Sequence, residues 1–203
     1  MNKISCTIFF LLSFVIVSSQ NIDFNILKQV NSNRNKALDP TFKAITNSAI
    51  PISIVTPVVL YSIGMIQKDS LIKKKAVFVG ETFLVSAFIT LASKQIIKRE
   101  RPYNRYLELD PVVFENSYSM PSGHTSTAFA TATSLSLAYP KWYVIAPSFV
   151  WAGSVGYSRM HLGVHYPSDV FIGALVGSGS AFLTHKANQW LEIKSRKRHS
   201  SME

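Results

Sequence analysis

The chain has 203 residues, of which 47% are hydrophobic and 16% are charged, and its formal net charge is +10. Because the charged residues fall mostly between apolar blocks, this composition favours one multispanning membrane domain over a soluble protein. The basic residues are scattered over loops and a tail instead of one soluble face, which argues against nucleic acid as a partner, and the lone cysteine Cys6 excludes an intramolecular disulfide.

The N-terminus has the three parts of a secretory signal: a positive start at Lys3, an apolar centre and small residues at the end. Residues 1–19 are therefore predicted to be either a cleaved signal peptide or an uncleaved first transmembrane helix, for which the apolar run is short. Residues 20–48 are polar with apolar residues at helical spacing. They are predicted to form a non-cytoplasmic amphipathic segment of two short helices, broken at Asp39-Pro40, with a solvated connector as the alternative.

Five apolar blocks follow, and each approaches the ~20 residues that a bilayer demands. They run from Ala49 to Ile66, Ala76 to Ser93, Thr125 to Tyr139, Trp142 to Tyr157, and Val170 to about Trp190. The third block is short and rich in Thr, Ser and Ala, so we expect it to pack inside the bundle. Three glycines in the last block likewise predict close helix contact, namely Gly173, Gly177 and Gly179.

The predicted fold is an all-α, multispanning membrane helix bundle of five spans plus the signal peptide or a sixth span. Its membrane domain covers residues 49–191, and residues 192–203 form a basic cytoplasmic tail. Lysines at 73–75 and the basic tail indicate which loops are cytoplasmic. Counting spans then predicts that the loops at 94–124 and 158–167 share the opposite, non-cytoplasmic face.

Glu81 lies in the middle of the second block, where a lone carboxylate is costly. It is expected to be paired, protonated or facing a cavity. A structural partner and a role toward the substrate are both open from the sequence.

The first of three motifs lies at the outer end of the second block. Lys94 and Arg101 are seven residues apart, close to two helical turns, so both are predicted to project from one helix face, with Pro102 ending the helix. The alternative is a basic cluster, including Lys98 and Arg99, that only caps a span.

The second motif, Pro121-Ser122-Gly123-His124, leads directly into the third block. A glycine turn at a helix start directs free backbone N–H groups toward an anion, and His124 can donate a proton to a leaving oxygen. The alternative is an ordinary capping turn with a solvent-facing histidine.

The third motif pairs a phosphate-matching donor with a histidine and a carboxylate. Arg159 supplies the forked donor, and His165 is followed four residues later by Asp169. With Pro167 in a first helical turn, Asp169 is expected to accept from Nδ1–H of His165 and to leave Nε2 free as a nucleophile. A purely structural His–Asp pair is the alternative. His161 has no carboxylate at that spacing and is assigned to structure.

Taken together, the motifs resemble the type 2 phosphatidic acid phosphatase family, which shares its core with the vanadium haloperoxidases and the bacterial non-specific acid phosphatases. The family pattern is Lys, six residues, Arg-Pro; then Pro-Ser-Gly-His; then Ser-Arg, five residues, His, three residues, Asp. The chain matches every fixed position, in order and with the same spacing, between Lys94 and Asp169.

The resemblance implies a role for each matched position. His165 would attack phosphorus and form a phosphohistidine, Asp169 would orient it, and His124 would protonate the leaving group and then activate water. The remaining positions would bind the phosphate oxygens, with Ser158 supporting the site: Lys94, Arg101, Ser122, Gly123 and Arg159. Neither a metal nor another cofactor is expected, because three cations can replace a metal and no further cluster with ligand spacing remains.

The resemblance thus implies a metal-independent, integral membrane lipid phosphatase in a bacterial inner membrane, with its site facing the periplasm or exterior. The substrate would be a lipid phosphomonoester or pyrophosphate of the undecaprenyl pyrophosphate, phosphatidylglycerol phosphate, phosphatidic acid or lipid A type. The expected partners are this lipid and the membrane, with no obligate protein partner. Two alternatives stay open: a vanadium-dependent haloperoxidase and a non-catalytic lipid transporter or binding protein.

Overall fold

The computed structural model describes the backbone of residues 22–200 and the side chains of residues 22–194. Helices and their connections account for that whole stretch, in which no strand occurs, so the predicted all-α fold is confirmed. The signal peptide or first span predicted at residues 1–19 lies outside the described residues.

The helices follow one another with short connections, apart from one long loop at residues 106–122. Helix α1 covers residues 22–32 and a 3-10 turn covers Lys36–Leu38. The others are α2 Asp39–Asn47, α3 Ala49–Ile66, α4 Ser70–Ile97, α5 Pro102–Arg105, α6 Gly123–Ala138, α7 Trp142–His161 and α8 Pro167–Ser200. The last helix continues into the predicted tail.

Helix α6 is the buried centre of the bundle, as its small residues predicted. Its alanines at 128, 130 and 132 are completely buried, and its hydroxyls bond to the neighbouring helices. Helix α8 approaches α6 through two glycines: a Cβ on Gly177 would lie 2.2 Å from the Ser126 carbonyl oxygen, and one on Gly173 would lie 2.8 Å from that of Ser122. The prediction was wrong for Gly179, whose Cβ would meet no atom within 4 Å.

The helices around α6 direct large apolar side chains outward. Phe88 is 74% exposed and Phe171 is 63% exposed, and similar residues cover the outer faces of α3 and α7. A band of this kind on a helix bundle is suited to lipid. By length and composition, two described stretches can span a membrane, Lys36–Ile66 and Ser70–Arg105, whose most apolar 18-residue windows have mean hydropathies of 2.0 and 1.8. The predicted number of five or six spans stays a prediction.

The amphipathic segment forms the two predicted helices, but the break between them lies at residues 33–35. Pro40 sits instead in the first turn of α2, where its missing N–H costs nothing. Leu27 of α1 packs against Leu109 and Tyr166, so this segment is attached to the loops at the end of the bundle. Its position along a membrane surface stays a prediction.

The first motif departs from the continuous helix that its spacing predicted. Helix α4 ends at Ile97, and Lys98 follows in the left-handed conformation with φ of 49°. Arg101 is extended and caps the short helix α5, whose first residue is Pro102. The proline therefore begins a helix instead of ending one. Lys94 and Arg101 do not share a helix face, and a turn brings Arg101 back toward the bundle.

Candidate active site

The three motifs meet at one end of the bundle, where α4 and α7 end and α6 and α8 begin. Contacts join Arg101 to His165 and join Arg101 and Arg159 to one carboxylate on the long loop. This set of side chains is called the arginine pocket below: Arg101, Arg159, His124, His165 and the Glu115 carboxylate that lies among them.

His165 is completely enclosed and has a defined orientation. Its Nε2 lies 2.9 Å from Nη1 of Arg101, and its Nδ1 lies 3.3 Å from Oδ2 of Asp169. Because a guanidinium only donates, Nε2 must be the acceptor, which leaves the proton on Nδ1 facing Asp169. Burial is the main cause that lowers the pKa of His165, and it outweighs the opposing hydrogen bond with Asp169; the charges of Arg101 and Arg159 lower the pKa further. The imidazole is therefore neutral, with its lone pair toward the arginine pocket.

Asp169 is fully buried and accepts hydrogen bonds at both oxygens. Oδ2 accepts from the Ser119 hydroxyl at 2.5 Å and from the Tyr166 N–H at 3.0 Å, and Oδ1 accepts from Nη1 of Arg99 at 2.7 Å. Asp169 thus has the partners that a buried charge requires. Sequence reasoning missed Ser119 and Arg99 here. Arg99 lies inside the first motif. Because basic residues surround it there, the sequence was equally consistent with a basic cluster that only caps the span.

Arg99 also links the site to the N-terminal helix. Its Nη2 donates to Oδ2 of Asp23 at 2.6 Å, and the same carboxylate accepts the Ser168 N–H at 2.8 Å, in the first turn of α8. The Arg99 guanidinium lies 3.8 Å from the centre of the Tyr166 ring. No local pattern in the sequence indicated Asp23, which is 145 residues from Ser168.

Glu115 brings a carboxylate into the centre of the pocket. Oε2 accepts from Nη2 of Arg101 at 2.6 Å, Oε1 accepts from Nη2 of Arg159, and Oε1 lies 3.9 Å from Nδ1 of His124. Burial raises the pKa of Glu115, but the charges of Arg159 and Arg101 outweigh it and hold the pKa at about 2. The pocket therefore contains an ionised carboxylate of its own, that of Glu115. None of the three motifs predicted it.

Arg159 keeps an unused donor in this arrangement. Its Nη1 donates to the Thr46 hydroxyl at 2.7 Å and its Nη2 to Glu115. Its Nε has no partner, one of two such buried polar side-chain atoms within residues 22–194, the other being the Thr184 hydroxyl oxygen. A buried donor without a partner is costly, and a ligand with more acceptor oxygens than a carboxylate would satisfy it.

The other predicted anion ligands surround the pocket. Lys94 donates from Nζ to the carbonyl oxygens of Tyr118 and, at 3.4 Å, Ser119. The Ser122 hydroxyl accepts from Thr125 at 2.9 Å, so it is turned toward α6. Gly123 begins α6, and its N–H belongs to the first turn, where amides have no partner within the helix.

Two cavities reach this site. One of about 750 Å³ lies between the end of α4, α5 and the long loop, and it is lined by Arg101, Tyr103 and Glu115. The other, of about 250 Å³, runs between α3, α4 and α6, with apolar walls that include Phe83 and Leu91. Lys94 and Glu115 line both cavities.

Two titratable residues singled out in the sequence lie outside the pocket. His161 is buried with its Nε2 at 2.8 Å from Oδ1 of Asp39 and its ring against Phe42. Glu81 accepts from the Asn188 side chain at 2.7 Å, near the opposite end of the bundle. Both therefore have structural partners.

Comparison with known proteins gives the family. The PAP2 superfamily model matches residues 75–193, which contain all three motifs. The chain belongs to the PAP2 superfamily. The resemblance inferred from the motif spacing is confirmed.

Relatives of this PAP2 chain include named phosphatases. It is 32% identical over 185 residues to an undecaprenyl-diphosphatase of Sulfolobus acidocaldarius, covering 84% of this chain and 81% of that protein. It is 27% identical over 109 residues to a lipid A 4'-phosphatase of Bacteroides thetaiotaomicron, with 49% and 48% covered.

Solved structures share the fold of this PAP2 chain. The crystal structure of Aquifex aeolicus LpxE superposes with a TM-score of 0.71 at 25% identity, covering 80% of this chain and 93% of that one. A transmembrane PAP2-type phosphatidylglycerolphosphate phosphatase from Bacillus subtilis gives a TM-score of 0.69 at 24% identity, covering 92% and 95%. The second likeness concerns the fold alone.

Proposed function

We propose that this protein is a membrane lipid phosphatase that hydrolyses a lipid phosphomonoester or diphosphate. The observation that carries the proposal is the position of Nε2 of His165, which is unprotonated and 2.9 Å from the guanidinium of Arg101. A phosphate held by Arg101 would meet that lone pair. The names of the relatives support the same class of reaction.

In the first step, Nε2 of His165 attacks phosphorus, the P–N bond forms and the bond to the lipid oxygen breaks. His124 gives its proton to that oxygen, so the lipid leaves as an alcohol or a monophosphate. Asp169 supports the positive imidazole that develops, since its carboxylate faces Nδ1–H. Arg101 and Arg159 stabilise the charge on the transferring oxygens.

In the second step, His124 accepts a proton from water, and the water oxygen attacks the phosphohistidine. The P–N bond breaks, inorganic phosphate leaves, and His165 regains its neutral form. His124 is again protonated, ready for the next substrate. Free amides at the start of α6, including that of Gly123, would contribute donors to the phosphate. Lys94 would add charge from the end of α4, although its Nζ contacts loop carbonyls.

A lipid substrate is favoured by the narrower cavity. Its wall includes apolar side chains of α3, α4 and α6, and His124 and Lys94 of the site line it as well. An acyl or prenyl chain lying between these helices would bring its phosphate to the arginine pocket without leaving the apolar phase. A soluble phosphate ester would gain nothing from such walls.

The proposed location is a bacterial inner membrane, with the site on the periplasmic or exterior face. Lys73, Lys74 and Lys75 lie at the start of α4, whereas the site lies at the end of α4, so basic residues mark the opposite end of the bundle. In this arrangement residues 20–48 and the long loop are non-cytoplasmic, and the basic tail at 192–203 is cytoplasmic.

The test is phosphate release in detergent, with EDTA present, from a panel of undecaprenyl pyrophosphate, phosphatidylglycerol phosphate, phosphatidic acid and lipid A. We expect turnover by the wild type, loss with His165→Ala, and a ranking that names the substrate. Loss of wild-type activity in EDTA would contradict the metal-free mechanism. Halide oxidation with vanadate and no phosphate release would favour the haloperoxidase alternative.

A further inference from the structure

The Glu115 carboxylate lies where the proposed mechanism needs the phosphate. It contacts the same guanidinium nitrogens that face the pocket from Arg101 and Arg159, and it faces His124. A carboxylate and a phosphate both offer two oxygens to forked arginine donors. A substrate phosphate must therefore displace Glu115 before it can reach His165.

The backbone of Glu115 is fixed, and its side chain has room to move. The Tyr103 hydroxyl donates to the Glu115 carbonyl oxygen at 2.9 Å and accepts from the Glu115 N–H at 3.0 Å. The side chain is 25% exposed, and it borders both cavities. Rotation about its own bonds would carry the carboxylate from the arginines into the wider cavity while the loop stays in place.

Displacement sets a charge requirement on the incoming group. A phosphomonoester carries about −1.5 to −2 charges at neutral pH, and a third oxygen that the unpaired Nε of Arg159 can use. A phosphodiester carries one charge and two free oxygens, as a carboxylate does. When a phosphodiester replaces the Glu115 carboxylate on the two arginines, the number of charges and hydrogen bonds stays about the same. When a monoester or a diphosphate replaces it, the arginines gain a more highly charged partner and additional hydrogen bonds.

From these contacts we infer that Glu115 is a specificity-determining residue that keeps singly charged phosphodiester headgroups out of the arginine pocket. The inference rests on the proposed function, because it assumes that the pocket binds phosphate. Phosphodiester lipids form the bulk of a bilayer, so a membrane phosphatase meets them far more often than its substrate. An internal anion of matching charge prevents them from occupying the site.

The experiment measures inhibition with a lipid phosphate that the wild type hydrolyses, in mixed micelles containing dioleoylphosphatidylglycerol or inorganic phosphate as competitor. Glu115→Gln keeps the size of the side chain and removes its charge. We expect the inhibition constant for phosphatidylglycerol to fall on the order of ten-fold or more, because two buried arginines lose their internal counter-charge. The matched control is Glu108→Gln on the same loop, whose partner is the exposed Lys28.

The outcomes separate the inference from the proposed function. A lower kcat for Glu115→Gln with unchanged inhibition by phosphatidylglycerol would overturn the specificity role. If Glu108→Gln lowers the inhibition constant for phosphatidylglycerol by the same factor, the effect comes from the total charge of the loop, and the specificity role of Glu115 is overturned as well. Absence of phosphate release from every lipid by the wild type would instead refute the proposed function. If Glu115→Gln fails to fold, Glu115→Asp, which keeps the charge but shortens the reach to the arginines, should weaken exclusion in the same direction.

Discussion

Arg101 donates from Nη1 to Nε2 of His165 across 2.9 Å, so the side chain proposed to bind phosphate also determines which histidine nitrogen lacks a proton. On the other side of the ring, Asp169 accepts from Nδ1–H. The two contacts together hold the imidazole in one tautomer. This relationship is the basis of the first two predictions.

His165 should stay neutral, with its proton on Nδ1, at pH values where an ordinary histidine is charged. Burial lowers its pKa from the usual 6.5, so the neutral form persists as pH falls through 6.5 and is lost only on further acidification. Nitrogen-15 histidine NMR in detergent measures this, with His165→Gln identifying the signal. A His165 signal that titrates near 6.5 would contradict the prediction. Because the unfolded chain takes up this proton near 6.5, the contribution of His165 also makes the folded state less stable as pH falls below that value.

Asp169→Asn should nearly abolish turnover while leaving the fold intact. An amide can donate to Nδ1 and so favour the tautomer that carries the proton on Nε2, where it blocks attack. Loss of the orienting carboxylate from a buried His–Asp pair costs on the order of 10⁴ in kcat in comparable cases. Steady-state kinetics measure the loss, and circular dichroism checks the helix content. Retention of more than about a tenth of the activity would show that Asp169 does not govern His165.

Arg99→Gln should lower kcat with little change in KM, which identifies a positioning residue. Arg99 touches Asp169 and Asp23, and its guanidinium does not contact Glu115 in the pocket. Loss of a partner of this kind typically costs about 10–100-fold. Arg99→Lys should restore part of kcat, because one ammonium can still reach one carboxylate. Arg105→Gln, at the end of α5, is the matched control. A rise in KM equal to the fall in kcat/KM would indicate direct substrate binding instead.

Gly177→Ala should destabilise the bundle, and Gly179→Ala should not. The new methyl group at position 177 would lie 2.2 Å from the backbone oxygen of Ser126, so α6 and α8 must separate. Overpacking of this kind costs about 1–3 kcal/mol. At position 179 the space is open, and the change from glycine to alanine favours helix by about 0.5–1 kcal/mol. Thermal unfolding in detergent measures both, and equal melting temperatures for the two variants would contradict the prediction.

The motifs, the fold class and the burial of α6 were predictable because each depends on local spacing or composition. With Pro167 at the start of a helix, the four-residue interval between His165 and Asp169 predicted that the carboxylate faces Nδ1 of the imidazole. The structure shows this contact. Small residues in the third block likewise predicted a central helix. The exact path after Lys94 was not predictable, because Lys98 adopts a left-handed conformation that its residue type does not favour.

The sequence by itself determined the family, the helical architecture and the pairing of His165 with Asp169, since these follow from motif spacing, periodicity and near neighbours. Only the tertiary structure decided that Glu115 occupies the arginine pocket, that Arg99 of the first motif contacts Asp169 and is itself held by Asp23 of α1, and that Gly179 faces open space. The partners in these contacts are separated by 14 to 76 residues. No repeating pattern links such positions, and helix packing alone brings their charges within a few ångströms.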